Sequence, residues 1–263
     1  MKWRLLDTGR KSGSYNMAVD EAIMLVHSRG GSPPTLRFYG WDPPAVTLGY
    51  FQEPEETVDF EACRRLGVDV VRRPTGGRAV LHHEEVTYSI IARDDNPVVC
   101  GSVAESYLRL SRALVLGLGR LGVEVSLNEA GEPALKGAAC FDGAALYELV
   151  AGGRKLAGNA QCRRHGCVLQ HGALPLVHDA RTLFQVLRFQ SEQLREEQRQ
   201  RFCQRATSLE EALGRPASPS EVIRALAGGF TEALGIELEP GELTAEEVCL
   251  AEKLGKEKYG NLS

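Results

Sequence analysis

The chain has 263 residues, 43% of them hydrophobic and 25% charged. That is the composition of an ordinary globular protein, long enough to bury a core as one large domain or two. A net charge of −4 and a pI near 5.9 argue against general nucleic-acid binding, which needs a basic face to neutralise phosphates.

No eighteen apolar residues follow one another, so a membrane span is not expected, and "MKWRLLDTGRKSGSYN" has no apolar run suited to a signal peptide. Seven scattered cysteines fit reduced thiols in a cytosol better than a disulfide framework. Along the chain, "YNMAVDEAIMLVHSRG" reads as a helix with Val19, Ile23 and Val26 on one face. "TLRFYGW" and "AVTLGYF" are strands interrupted by "DPP", and "VDFEACRRLG" is a helix ending at Gly67. "VDVVRR" and "AVLHHEEVTYSII" are strands on either side of a glycine turn. The stripe Val103, Tyr107, Leu110, Leu114, Leu118 and Leu121 marks a further helix. "ALYELVAGGRKLAGNAQ" is two strand runs around Gly152-Gly153, a strong hairpin signal, and "CVLQHGALPL" is another strand. After about Arg181 the pattern is helical, with Val222, Leu226, Phe230 and Ala233 on one face. Hairpins outnumber βαβ units, so the expected fold class is α+β with a mixed, largely antiparallel sheet flanked by helices.

The stretch "RRPTGGRAVLHH" lacks the lysine and hydroxyl of a Walker loop and the helix that follows a dinucleotide loop. It is either a backbone floor beneath a ligand, with Arg72, Arg73 and Arg78 around it, or a plain hairpin with exposed arginines. Cys63, Cys203 and Cys249 fall in helices and Cys100 in a loop, whereas Cys140 lies in the irregular "GAACFDG". Cys162, His165, Cys167 and His171 offer four metal ligands, but their spacing is not a usual zinc pattern. Alternation instead puts Cys167, Leu169 and His171 on one strand face. Lys155 follows a glycine turn, the place of a solvated hairpin residue, yet the small residues after it leave room beside its amine. The run Arg195, Arg199, Arg201 and Arg205 reads as a solvated helix face or as a patch for an acidic partner.

The segments "RFYGWDPPAVTLGYFQ", "RRPTGGRAVLHHEEVTYSI", "ACFDGAALYELVAGGRKLAGNAQ" and "GCVLQHGALPL" resemble, in this order, the superfamily of lipoate ligases, octanoyltransferases and biotin ligases (the BPL/LPL superfamily). Within it they are most similar to LipM-type octanoyl-[acyl-carrier-protein]:protein N-octanoyltransferases. The resemblance implies a single lipoate/biotin protein ligase-like catalytic domain over residues 1–263, with a helical C-terminal portion from about residue 181. It puts the arginine–glycine motif on Arg72, Arg73, Gly76, Gly77, Arg78 and His82, lining an acyl pocket. The family lysine falls on Lys155, followed by Gly158, Ala160 and Gln161, and the transferase cysteine falls on Cys140. Where relatives commonly have His-Asp, this chain has His82-His83. The implied activity is transfer of octanoyl from octanoyl-acyl carrier protein through a Cys140 thioester to a lysine of a lipoyl-domain apoprotein such as glycine-cleavage H protein. Lys155 would stabilise the Cys140 thiolate and, once that anion is consumed, act as a base toward the acceptor amine. No cofactor is implied: a thioester is already activated, so neither ATP nor magnesium enters, and neither a nucleic acid nor a membrane is a partner. The alternatives are an octanoyl amidotransferase between lipoyl domains, an ATP-dependent lipoate–protein ligase, and a non-catalytic acyl-binding module. Arg163 and Arg164 are expected to help dock an acidic protein substrate.

Overall fold

The computed structural model describes residues 1–128, 147–260 and 262. Strand β1 (Lys2–Lys11) leads into helix α1 (Gly13–Ser28), capped by the Ser12 hydroxyl, which accepts from the Tyr15 N–H. Strands β2 (Thr35–Trp41) and β3 (Ala45–Leu48) follow, then short helices α2 (Pro54–Thr57) and α3 (Phe60–Leu66). Next come β4 (Asp69–Arg72), β5 (Val80–His82), β6 (Glu85–Arg93), helix α4 (Val103–Arg120) and β7 (Ser126–Leu127). Beyond them lie β8 (Leu149–Ala151), β9 (Arg154–Lys155), β10 (Gly158–Arg164) and β11 (Cys167–Pro175). The chain ends through α5 (Ala180–Val186), α6 (Glu192–Arg205), α7 (Leu209–Leu213), α8 (Pro219–Leu234), β12 (Glu237–Pro240) and α9 (Ala245–Glu257).

Six strands form the main sheet in the order β10-β11-β6-β2-β1-β12. The first three pairings are antiparallel, and β1 pairs in parallel with both β2 and β12. The fold class is therefore the mixed α+β arrangement expected. Alternation along β6 sends Val86, Tyr88, Ile90 and Ala92 to one face, where they meet Leu110 and Leu114 of α4 and Leu226 and Phe230 of α8. The opposite face, through Leu6, Tyr39 and Ile91, packs against Met17 and Ile23 of α1 and Ala251 of α9. Helix α1 is accordingly buried nearly all round, and its polar residues need partners. Asp20, fully buried, receives Arg37 Nη1 at 2.7 Å and Ser89 Oγ at 2.8 Å.

Three expectations change. The runs around the glycine turn are not hairpin partners: β4 pairs with β3 in parallel and β5 pairs with it antiparallel, so β3 lies between them. The cause is β3 itself, four buried residues needing neighbours on both edges. The run "AVLHHEEVTYSII" also divides, β5 joining the small sheet and β6 the large one. The last third is not purely helical, because β12 extends the main sheet beside β1.

Helix α9 is tied to that edge by a buried fork: Arg4 Nη1 and Nη2 donate to the two Glu247 carboxylate oxygens at 2.7 and 2.6 Å. Glu247→Ala would strand a buried guanidinium, and we expect a loss of about 3–5 kcal/mol in urea unfolding.

Candidate active site

The irregular segment between β4 and β5 is held from within. Arg73, 5% exposed, directs Nη1 to the Thr47 carbonyl and hydroxyl at 2.9 and 3.0 Å. Its Nε and Nη2 donate to the Gly76 carbonyl at 3.2 and 2.8 Å, and Nη2 also to the Arg78 carbonyl at 2.8 Å. All five N–H groups of a guanidinium are thereby directed at protein oxygens. Gly49 makes the packing possible, since a Cβ there would sit 1.9 Å from the Gly77 carbonyl oxygen. Arg72 does a different job: its Nη1 gathers the carbonyls of Gly49, Tyr50 and Gln52 at 3.2, 2.9 and 2.6 Å.

Behind this loop lies a cavity enclosing about 390 Å³ of space between atoms, its open mouth included. Met17, Tyr39, Trp41, Val80, Ala160 and Ala173 give it apolar walls. Its polar lining residues are largely satisfied by one another. His82 stacks on Trp41 with ring centroids 4.0 Å apart. Its Nδ1 lies 2.8 Å from Glu85 Oε1 and its Nε2 2.9 Å from Thr47 Oγ1. A carboxylate only accepts, so His82 Nδ1 donates to Glu85, while Thr47 Oγ1 joins the ring's Nε2 to Arg73. Trp41 Nε1 donates to Thr87 Oγ1 at 2.7 Å, and Thr87 donates to Glu85.

A second histidine repeats the arrangement. His171 Nε2 is 2.7 Å from the hydroxyl of Thr75, inside the glycine loop, and Nδ1 is 3.6 Å from Asp20 Oδ2. Burial pushes the His171 ring below its ordinary value of 6.5, more strongly than Asp20 holds it up. For Asp20, burial works to raise the carboxyl, but Arg37 and the hydrogen bonds from His171 and Ser89 outweigh it and keep the value lowered.

Adjoining the cavity at β10 is a wider cleft lined by Gly76, Gly77, Tyr107, Glu148 and Gln161. Asn159 and Ala160 line both spaces. Lys155, 3% exposed, donates from Nζ to Glu148 Oε1 at 2.8 Å. The hairpin brings the two together. With a turn at Gly152-Gly153, Val150 opposes Lys155, and Glu148 sits two residues along on the same face.

Of the residues singled out in the sequence, Arg73, His82, Gly158 and Ala160 line the cavity, and Gly76, Gly77 and Gln161 line the cleft. Arg72 lines neither, and Arg78 meets the site through its carbonyl. Lys155 is a buried, paired cation and not a solvated hairpin residue; Cys140 lies outside the described residues. His83 points elsewhere, with Nδ1 3.5 Å from Asp179 Oδ2. Sequence reasoning missed Trp41, Thr47, Thr75, Asn159 and Glu148, of which only Glu148 was within reach, by counting the hairpin register. Burial pushes the Cys162 thiol up to about 11 and also raises Cys167, so both stay protonated. Arg163 is half-buried, and its guanidinium is held to the chain by donating to the carbonyls of Val99, Gly101 and Ser102 at 3.2, 2.7 and 3.2 Å.

The family model described as the lipoyl protein ligase A/B catalytic domain matches residues 12–231. The octanoyltransferase LipM of Kyrpidia tusciae is 52% identical over 258 residues, covering 96% of this chain and 94% of the relative. That of Symbiobacterium thermophilum is 48% identical, covering 98% and 96%. Among solved structures, the bi-partite lipoate protein ligase of Thermoplasma acidophilum, described with its E2 lipoyl domain, is similar at 28% identity with a TM-score of 0.82. It covers 98% of this chain and 93% of that one.

The lowered His171 value fixes a sign. The folded state excludes a proton that the unfolded chain binds below 6.5, so this contribution to stability is complete above 6.5 and is lost as pH falls toward the folded value. His178, lowered chiefly by burial, adds a slope of the same sign. Thermal midpoints taken from about pH 7.5 down to about pH 5 should decline in the wild type and decline less steeply in His171→Gln.

Proposed function

Because the chain belongs to the lipoyl protein ligase A/B catalytic-domain family, we propose that it is a protein N-octanoyltransferase acting on lipoyl-domain acceptors. The observation that carries this reading is the character of the cavity. Its exposed walls are mostly aromatic and aliphatic, and its arginine already directs every N–H at oxygens of Thr47 and the glycine loop, leaving none for a phosphate. Such a slot suits an uncharged acyl tail, which gains about 0.8 kcal/mol for each methylene taken out of water. The full-length likeness to octanoyltransferases supports the same acyl group.

In this reading octanoyl-acyl carrier protein is the donor and Cys140 takes the acyl group, its thiol proton passing to the departing carrier thiol. A lysine of an acceptor such as glycine-cleavage H protein then attacks the Cys140 thioester, giving an amide and restoring the thiol. The acceptor is the harder partner. An amine with an ordinary pKa of about 10.4 is neutral in roughly one molecule in 2,500 at pH 7, a handicap of about 4.6 kcal/mol. Lys155 manages protons beside the cleft, with Glu148 as its counterion. The whole chain serves as one catalytic unit: β12 and α9 close the edge and back of the sheet that carries the site. The free thiols of the six described cysteines fit a cytosolic setting, and among the described residues no helix is long and apolar enough to cross a membrane.

Intact-mass measurement after mixing with octanoyl-carrier protein, then with apo acceptor, tests this directly. The wild type should gain one octanoyl group and pass it on. Cys140→Ala should form no adduct and transfer nothing, and Lys155→Ala should slow transfer by about 10²–10⁴-fold. Undiminished transfer by Cys140→Ala would refute the covalent route. Loading of acceptor only from octanoate, ATP and magnesium would make the protein a ligase instead.

A further inference from the structure

We propose that the side-chain amide of Asn159 is a further catalytic group, donating to the carbonyl oxygen of the acyl group while negative charge develops there. The inference rests on the acyl-transfer reading and adds a residue to it.

The orientation of this amide follows from a chain of hydrogen bonds whose direction is set at its far end. Arg163 can only donate, and its Nε reaches Gln161 Oε1 at 3.4 Å. Gln161 therefore presents its amide nitrogen onward, donating from Nε2 to Gln170 Oε1 at 3.0 Å. Gln170 in turn donates from Nε2 to the Tyr88 hydroxyl at 3.0 Å. Tyr88, having accepted, donates to Asn159 Oδ1 at 2.9 Å. Burial holds the Tyr88 phenol well above its ordinary value, so it keeps the proton it donates. The flip of Asn159 is thus decided by an arginine four residues further along its own strand, through three intervening side chains.

The consequence is an amide nitrogen turned away from every described partner. Nδ2 of Asn159 is buried and has no hydrogen-bond acceptor among the described residues. Asn159 stands on β10 opposite Gly172, and the missing side chain at Gly172 makes room for it. A Cβ there would lie 1.9 Å from Asn159 Oδ1 and 2.5 Å from Tyr88 Cε1. The residue lines both the apolar cavity and the open cleft, so an acyl group spanning the two brings its carbonyl past this wall. A buried donor fixed in place without an acceptor is what a developing oxyanion requires, because it need not reorganise when charge appears.

In the step itself the nucleophile bonds to the carbonyl carbon and the C=O π pair moves onto oxygen, facing Nδ2. Collapse returns that pair and breaks the C–S bond. The sulfur leaves with the proton that the attacking amine or thiol gives up.

Steady-state transfer of octanoyl to an apo lipoyl domain tests the proposal in Asn159→Ala, Asn159→Asp and Tyr88→Phe. For Asn159→Ala we expect kcat to fall about 10²–10³-fold with KM within about threefold. Asn159→Asp should be slower still, since a carboxylate would face the oxyanion. Tyr88→Phe frees the amide to rotate and should cost less, roughly tenfold in kcat, without a matching rise in KM. A kcat for Asn159→Ala within about twofold of wild type, or a change in KM alone, would overturn the role. Should these variants fold poorly, wild-type protein labelled at its amide nitrogens can be titrated with a ketone analogue of an octanoyl thioester. The Asn159 side-chain resonances should move, and unmoved resonances at saturation would overturn the proposal. Wild type that turns over no thioester would instead sink the acyl-transfer reading, a separate result.

Discussion

A guanidinium cannot accept a hydrogen bond and does not give up its charge, so each buried arginine must be met by oxygens wherever the chain puts it. Three buried arginines and the half-buried Arg163 impose that constraint here. Arg4 fastens α9 to the edge of the sheet, and Arg37 fastens α1 across it through Asp20. Arg73 converts a glycine-rich crossing between two strands into a fixed wall, and Arg163 sets the direction of a chain of amides that ends at the site. The proposed function rests most on the third. With its donors turned inward, the loop gives a ligand shape and apolar surface, and offers no free charge of its own.

The site has two spaces that meet at β10. One space is a cavity walled by Trp41, Tyr39 and Met17; the other, sharing Asn159 and Ala160 with it, is a cleft lined by Glu148, whose carboxylate pairs with the buried Lys155. Acyl transfer asks for that division. An alkyl tail wants a dry slot, whereas proton movement at a nucleophile needs charged groups held at known positions. Two histidines stiffen the boundary, each set between a carboxylate and a threonine. Thr47 and Thr75 bind them to the small sheet and the glycine loop, so neither ring can swing without loosening the wall.

Local pattern revealed most of the fold. The α3 helix ends at Gly67 with φ of +64°, where only glycine is at ease, and the Gly152-Gly153 pair turns a hairpin with φ of +55° and +75°. Both were plain in the sequence. What stayed hidden was anything decided by pairing between distant strands. β12 is four largely exposed residues without a hydrophobic alternation, and only β1 beside it makes it a strand. β4 and β5 read as a hairpin because the buried strand that separates them comes earlier in the chain. Arg72 and Arg73 look alike in sequence, yet the strand pleat sends one to the Gly49–Gln52 turn and the other beneath the loop. Arg163 read as a surface charge because its carbonyl partners lie about sixty residues away. Asn159 passed unnoticed, since an amide's importance lies in which way it faces.

A structure of the protein with a non-transferable ketone analogue of an octanoyl thioester would examine the central claim most directly. The account predicts the alkyl chain in the cavity beside Trp41, with the carbonyl oxygen within about 3.2 Å of Asn159 Nδ2 and Arg73 still bound to its loop. An alkyl chain lying outside that cavity, or a carbonyl held by Arg73 after it abandons the Gly76 and Arg78 oxygens, would contradict it.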